Sequence, residues 1–327
     1  MLIDNHNRPI NYIRLAVTDR CNLRCFYCMP EEGIQYVKRS ELLSYEEMER
    51  LVSLLVTQGI TKVRITGGEP FLRKGMFEFL TSLSKIDGLE SIHITTNGTL
   101  TKGKVKLFKD IGIASVNLSL DSVDSKRFFE ITRRDEFETV MSTLDELISC
   151  DIPTKINCVV MDGKNIDDII PMVELARDKP ISVRFIEEMP FNGTGDHPAT
   201  LFWTSEKTLE HIKAEYPDIQ KIQDPLYSTS FNYEIPDFKG SVGFIAAYSR
   251  LFCGSCNRIR ITPQGVMKTC LYDNGIFNIR DIMRNGASDE QVIDAVKTAI
   301  HNRAKDGFEA EGKRSKQVSE SMATIGG

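Results

Sequence analysis

The sequence predicts an α/β protein, with an incomplete (β/α)6 TIM-like barrel at residues 1–190 and a smaller C-terminal α+β domain at 191–327 closing the barrel. Three observations carry this prediction. At 327 residues the chain exceeds one typical domain. Between residues 12 and 187, six short β-rich runs alternate with longer segments of helical period, the pattern of successive βαβ units and a mainly parallel sheet. Six units fall short of the eight of a complete barrel, so an open one is expected. After Met189 the rhythm breaks and a different pattern follows.

The predicted strands, in order, are Tyr12 to Thr18, Lys62 to Gly67, Ser91 to Asn97, Ser115 to Leu120, Thr154 to Val160 and Ile181 to Glu187. The first intervening helix is marked by Ser44 and Glu47, a capping box. Met48, Leu51, Val52 and Leu55 recur there at i, i+3, i+4 and i+7, an apolar face for the sheet. The later strands carry near-continuous apolar stretches such as Cys158 to Met161, as expected when both sheet faces are covered. Met189 to Thr204 is rich in Gly, Pro and small polar residues and reads as a connection. Beyond it the sequence predicts a helix near Ser205 to Ala214, strands including Ser241 to Tyr248 and Arg258 to Thr262, and helices near Phe277 to Arg284 and Ser288 to Lys305. The tail from about Gly312 has little apolar content and by itself reads as mobile.

The net charge of -5 argues against a protein that coats nucleic acid, while leaving room for a local basic pocket. The sequence has no apolar run long enough to span a membrane, and the N-terminal MLIDNHNRPINYIR lacks the apolar stretch of a signal peptide. A cytoplasmic protein with no nucleic-acid and no membrane partner is therefore expected.

Six of the eight cysteines fall into two clusters, and bunching without a secretory signal favours metal binding over disulfides. Cys21, Cys25 and Cys28 form C-x3-C-x2-C directly after the first strand, with no fourth cysteine or histidine nearby. A structural zinc site or an electron-transfer cluster ordinarily takes four protein ligands. Three thiolates leave one iron of a 4Fe-4S cluster open to an outside ligand. The alternatives are zinc completed by a distant residue, or thiols without metal. Cys253, Cys256 and Cys270 repeat the theme as C-x2-C-x13-C, where zinc would have to borrow a ligand such as His211 or His301. Within this second motif Arg258 and Arg260 alternate with Ile259 and Ile261. On a strand both guanidinium groups would share one face, suited to a polyphosphate or else to solvent.

CNLRCFYC and the GGEP at Gly67 to Pro70 resemble the signature and methionine-binding motifs of the radical S-adenosylmethionine (SAM) enzymes. The whole series YIRLAVTDRCNLRCFYCMP, KVRITGGEP, TTNGTL, NLSLDS, RFIEEMP, CGSCNRIRITPQG and the terminal IGG resembles the GTP 3′,8-cyclase family of molybdenum cofactor biosynthesis. That resemblance implies two 4Fe-4S clusters and S-adenosyl-L-methionine as cofactors. Cys21, Cys25 and Cys28 would be catalytic ligands, with Cys253, Cys256 and Cys270 holding the second cluster. It implies SAM contacts from Tyr27, Gly68, Ser119 and Met189, although alone Ser119 reads as a strand residue and Met189 as core. It further implies GTP contacts from Arg14, Arg64, Thr95, Lys155, Arg258, Ile259 and Arg260, with Ile259 limited to backbone or apolar contact. Gly326 and Gly327 would reach into the active site. A homodimer, an external electron donor and contact with the next pathway enzyme, cyclic pyranopterin monophosphate synthase, belong to the same implication. Two other readings stay open: a peptide-modifying radical SAM enzyme with an auxiliary cluster, and a noncatalytic metal-binding module. Cys150 and Cys158 have no partner spacing and read as small core residues.

Overall fold

The computed structural model describes residues 1–194, 201–315 and 318–326. The N-terminus forms a two-stranded antiparallel hairpin, β1 (Leu2–Ile3) and β2 (Pro9–Ile10). Six strands of the repeating units follow: β3 (Tyr12–Ala16), β4 (Lys62–Thr66), β5 (Ser91–Thr96), β6 (Ser115–Ser119), β7 (Thr154–Val160) and β8 (Ser182–Glu187). Each matches its expected run to within two residues at either end. The C-terminal part adds β9 (Gln220–Lys221), β10 (Phe231–Glu234), β11 (Ser241–Ile245), β12 (Arg258–Ile261), β13 (Val266–Lys268) and β14 (Phe277–Asn278).

Twelve of these strands make one sheet in the order β14-β13-β12-β3-β4-β5-β6-β7-β8-β11-β10-β9. β12 pairs parallel to β3 and β11 parallel to β8, so the C-terminal segment extends the parallel run at both edges. The strand order is linear and the curved sheet remains an open, partial barrel.

The helices are α1 (Tyr45–Thr57), α2 (Met76–Leu83), α3 (Val105–Ile111), α4 (Ser125–Thr132), α5 (Phe137–Ser149), α6 (Ile169–Asp178), α7 (Ser205–Glu215), α8 (Ile279–Arg284), α9 (Asp289–His301), α10 (Gly307–Gly312) and α11 (Met322–Ile325). In α1 the Ser44–Glu47 capping box is formed on both sides, and Met48, Leu51, Val52 and Leu55 are all buried against the sheet. Each such side chain contributes about 1.5–3 kcal/mol by leaving water. The expected helix from Phe277 begins instead at Ile279, because Phe277 and Asn278 pair with β13 and the Asn278 side chain then caps the helix.

One expectation is corrected. Both faces of the sheet were expected to be apolar, yet β7 alternates strictly. Thr154, Ile156, Cys158 and Val160 are buried, whereas Lys155, Asn157 and Val159 are partly exposed and line a cavity. The inner face of the parallel strands borders the cavity, which Phe128 and Thr132 of α4 and Met322 and Ala323 of α11 also line. Cys158 is buried and Cys150 packs partly buried against the core, as small apolar residues do.

Candidate active site

The inner face of the parallel strands encloses a cavity of about 410 Å³. In place of the packed branched side chains of a complete barrel, it presents cations. Arg260 of β12, Arg14 of β3 and Arg64 of β4 are successive register partners, so three arginines stand in one row across three adjacent strands. One row nearer the strands' N-terminal ends, Arg258, Tyr12 and Lys62 are aligned in the same way. Lys155 and Arg184 come in from β7 and β8. Like charges directly opposed across strands destabilise a sheet, so this surface calls for an anion.

The electrostatics agree. Burial, then the Arg260 charge, push the Arg14 guanidinium well below its usual range, and Arg14 Nε has no hydrogen-bond partner among the described residues. Burial with Arg184 and Arg64 nearby brings Lys155 down to about 7. Arg184 Nε is likewise buried and has no partner among the described residues. Burial opposes ionisation of Tyr12, but Arg64, Arg14 and Arg258 outweigh it and bring the phenol down to about 7. Its hydroxyl oxygen accepts from Arg64 Nε at 2.6 Å. Thr95 lies 3.5 Å from Arg64 Nη1 on the same wall.

At the C-terminal ends of the strands the loop after β3 carries the first thiols. Cys21, Cys25 and Cys28 line the cavity with Tyr27, Gly68, Ser119 and Met189, so the structure gathers all seven residues singled out from the sequence. The loop is pinned by backbone bonds from Arg24 and Phe26 to the end of α4, at 2.9 and 3.2 Å. Gly68 is required by packing rather than by ligand access. A Cβ there would lie 2.3 Å from the Arg20 carbonyl oxygen, where the GGEP loop runs against the cysteine loop. Glu69 is fully buried and accepts from the Asn97 amide at 2.8 Å and the Thr96 hydroxyl at 2.8 Å, tying GGEP to the end of β5. Tyr27 donates to Asp121 at 2.8 Å, and Asp121 also accepts from the Val159 amide at 2.8 Å. Burial raises Glu69 to about 7 and Asp121 to about 6.

The second thiols stand at the opposite end. Cys256 precedes β12 by two residues, and Cys270 follows β13 by two. Because β12 and β13 are antiparallel, the hairpin returns Cys270 beside Cys256. Cys253, Cys256 and Cys270 line a small pocket that shares Arg258 and Arg260 with the main cavity. Burial alone would raise Cys256, but the Arg258 and Arg303 charges bring it down to about 7. Burial raises Cys270 to about 11.

All six clustered thiols are free. Each set offers three soft donors of the kind that iron–sulfur clusters take. In the first set burial, then the Glu69 charge, raise Cys21 to about 12, so binding a metal centre there would displace protons. Among the described residues no group of three or more metal-binding side chains is already drawn together as a metal-ion site, so it is the chemistry of the three soft donors in each set that fits such a centre.

Ile259 does not join the cavity. Its side chain is fully buried in the core on the other face of β12, since neighbouring strand residues point to opposite faces. Gly326 ends α11 and accepts from Arg260 Nη1 at 3.0 Å. A Cβ there would meet Thr66 Oγ1 at 2.7 Å and Ala16 Cβ at 2.8 Å, and its φ is +79°, so glycine alone fits. Residues 318–326 of the tail are docked, contrary to the mobile reading. Ser321 Oγ donates to the Cys28 carbonyl at 2.7 Å, and the Met322 amide donates to Phe191. Gly327 lies outside the described residues.

Sequence reasoning overlooked Lys62, Arg184, Asp121, Glu69 and Arg303. Lys62 and Arg184 carried a usable signal, because each shares a strand face by two-residue spacing with another cavity residue, Arg64 and Ile186.

Residues 15–176 match the model of the Radical SAM superfamily, and residues 181–308 match that of Molybdenum Cofactor Synthesis C. The chain is 40% identical over 326 residues to a GTP 3′,8-cyclase of Syntrophomonas wolfei, covering 96% of this chain and 98% of that protein. It is 40% identical to the mitochondrial GTP 3′,8-cyclase of Arabidopsis thaliana, covering 93% and 78%. Molybdenum cofactor biosynthesis protein 1 of Dictyostelium discoideum is 41% identical, over 92% of this chain and 48% of that one. The chain therefore spans about half the length of that longer relative. Among solved structures, Streptococcus suis SuiB superposes with a TM-score of 0.63 at 15% identity, over 95% of this chain and 70% of SuiB, a likeness of fold alone.

Proposed function

The chain belongs to the GTP 3′,8-cyclase family of radical SAM enzymes, and on that premise we propose that it converts GTP to (8S)-3′,8-cyclo-7,8-dihydroguanosine 5′-triphosphate, the first step of molybdenum cofactor biosynthesis. The observation that carries this reading is the row Arg260–Arg14–Arg64 on a cavity wall between two sets of three thiols. A triphosphate supplies the negative charge that this row lacks.

In this reading Cys21, Cys25 and Cys28 hold one 4Fe-4S cluster and Cys253, Cys256 and Cys270 the other. The first cluster with SAM, when bound, supplies the carbon radical that takes a hydrogen atom from the substrate sugar. Tyr27, Gly68, Ser119 and Met189 contact SAM, with Asp121 fixing the Tyr27 hydroxyl. Arg14, Arg64, Thr95, Lys155, Arg258, Arg260 and the Ile259 backbone contact GTP, joined by Lys62 and Arg184. Holding base and sugar of one nucleotide between the two thiol sets makes the ring closure intramolecular, with the entropy of approach already spent. Gly326 supports the Arg260 side of the cavity.

Residues 1–190 and 191–327 act as two domains, the second closing the barrel over its cavity, which Tyr227, Phe252 and Leu271 line. The enzyme works in the cytoplasm as a homodimer with an external electron donor, and passes its product to cyclic pyranopterin monophosphate synthase. Among the described residues, no helix is long and apolar enough to cross a membrane.

Anaerobically reconstituted protein given SAM, GTP and a reductant should yield 5′-deoxyadenosine and a cyclised nucleotide together. SAM cleavage indifferent to GTP would refute the reading. Turnover of a peptide without GTP would favour a peptide-modifying enzyme. Protein that takes up zinc and no sulfide would favour a noncatalytic module.

A further inference from the structure

Behind the second thiol set lies a buried polar network that the cavity does not use. The turn of the β1–β2 hairpin supplies Asp4, which is 4% exposed. Asp4 Oδ1 accepts from the His6 and Arg8 amides, each at 2.9 Å, and Oδ2 accepts from Arg8 Nε at 2.7 Å. Arg8 continues to the thiol loop, donating through Nη1 to the carbonyls of Cys253 at 2.9 Å and Lys305 at 2.6 Å, and through Nη2 to Ala304 at 2.9 Å. Arg303, just beyond α9, is also 4% exposed. Its Nη1 donates to the Cys256 carbonyl at 2.8 Å and lies 3.5 Å from Asp4 Oδ2, while its Nη2 donates to Cys256 Sγ at 2.9 Å.

Arg8 and Arg303 therefore share one carboxylate, and the trio keeps a positive charge out of water. Such a charge is costly unless an anion answers it. The guanidinium edge of Arg303 that Asp4 does not occupy meets the Cys256 sulfur. The planar fork also grips the main chain and side chain of the same residue, which an ammonium point charge cannot do. Beyond the Asp4–Arg8 pair nothing local in the sequence announces this, since the other contacts join residues from 47 positions apart, Arg303 and Cys256, to 297 apart or more, Arg8 with Lys305 and Asp4 with Arg303.

We propose that Arg303 is a positioning residue of the second thiol set. It fixes the Cys256 side chain and complements negative charge on the sulfur, while Asp4 and Arg8 hold it in place from the N-terminal hairpin. The proposal rests on the reading that this set ligates an iron–sulfur cluster, whose potential responds to hydrogen bonds at its sulfurs.

Full-length wild type, Arg303→Gln, Arg303→Lys and Asp4→Asn, each reconstituted anaerobically, are compared by iron and sulfide content, by redox titration followed with EPR, and by iron release to a chelator. In Arg303→Gln the second centre should release iron about tenfold faster. Its midpoint should fall by about 59 mV if the one-electron equilibrium moves tenfold. Arg303→Lys, which keeps the charge but not the fork, should retain most of the midpoint yet still release iron faster, and Asp4→Asn should fall between. The EPR signal of the first centre with SAM should not move in any of them. Unchanged midpoints and release rates at the second centre would overturn the proposal, as would loss of both centres in Arg303→Lys and Asp4→Asn. A wild-type chain holding one cluster would instead remove the underlying reading, and the proposal with it.

Discussion

Lys155 offers a test of the cationic cavity that requires no turnover. Burial and the Arg184 and Arg64 charges hold its ammonium at about 7, against an ordinary 10.5. Charging it in the free cavity thus costs about 5 kcal/mol. A triphosphate placed among Arg14, Arg64 and Lys155 reverses the imbalance and restores the proton. At pH 8 the free lysine is mostly neutral, and the triphosphate itself is ionised, its last proton leaving at about 6. Binding should then take up about one proton, and affinity should weaken by up to about tenfold per pH unit above 7. The assay is calorimetry of GTP binding to the reconstituted protein without SAM, in buffers of different ionisation enthalpy at pH 8. The slope of observed heat against buffer heat counts protons. Lys155→Met should bind more weakly and take up about one proton fewer, leaving only the share of the Tyr12 phenol, which the same arginines hold at about 7. Wild-type binding with no proton uptake, and an affinity flat from pH 7 to 9, would refute the electrostatic argument.

Other perturbations follow from the same geometry. We predict that Cys25→Ser abolishes SAM cleavage, whereas Arg260→Ala spares uncoupled cleavage and mainly raises the GTP requirement, as separate steady-state assays would show; equal loss of both functions in both variants would contradict two distinct sites. Gly326→Ala sets a Cβ against Thr66 and Ala16 at positive φ. This should destabilise tail docking by roughly 2–4 kcal/mol, read as faster hydrogen exchange over residues 318–326, and unchanged exchange would count against the docked tail. Asp121 is raised to about 6 by burial. Its folded state therefore binds the proton more tightly than the unfolded chain, and its contribution is present below about 4 and lost as pH rises to about 6. That loss amounts to about 3 kcal/mol. In denaturation of the metal-free protein, Asp121→Asn should flatten the decline between pH 4 and 6.5; a variant with the wild-type slope would show that the burial argument is wrong.

Much of the architecture is legible in the sequence because it depends on local rules. The six unit strands are bounded by turns, and α1 is declared by its own cap and apolar stripe. The thiol spacings and the two-residue spacing of Arg258 and Arg260 identify donors and a shared face without any tertiary knowledge. The cavity is less legible. Reading Cys158 to Met161 as a run covered on both sides hid the alternation of Lys155, Asn157 and Val159. Apolar content does not say which face meets helices and which meets a ligand. Asp4 and Arg8, four residues apart, make a local ion pair, but nothing local links either to Arg303.

The chain's own order of residues determined the strand-and-helix rhythm, the two three-thiol sets and the placement of arginines on strand faces, since each follows from side-chain periodicity and spacing along a few residues. Tertiary structure alone decided that β12 lies beside β3, which makes Arg260, Arg14 and Arg64 neighbours, and that β11 and β12 flank the six unit strands on opposite sides of one sheet. It also decided that the tail is docked and that the N-terminal hairpin reaches Cys253 and Arg303. Register between distant strands, and charge compensation in a buried site, depend on which segments meet in space.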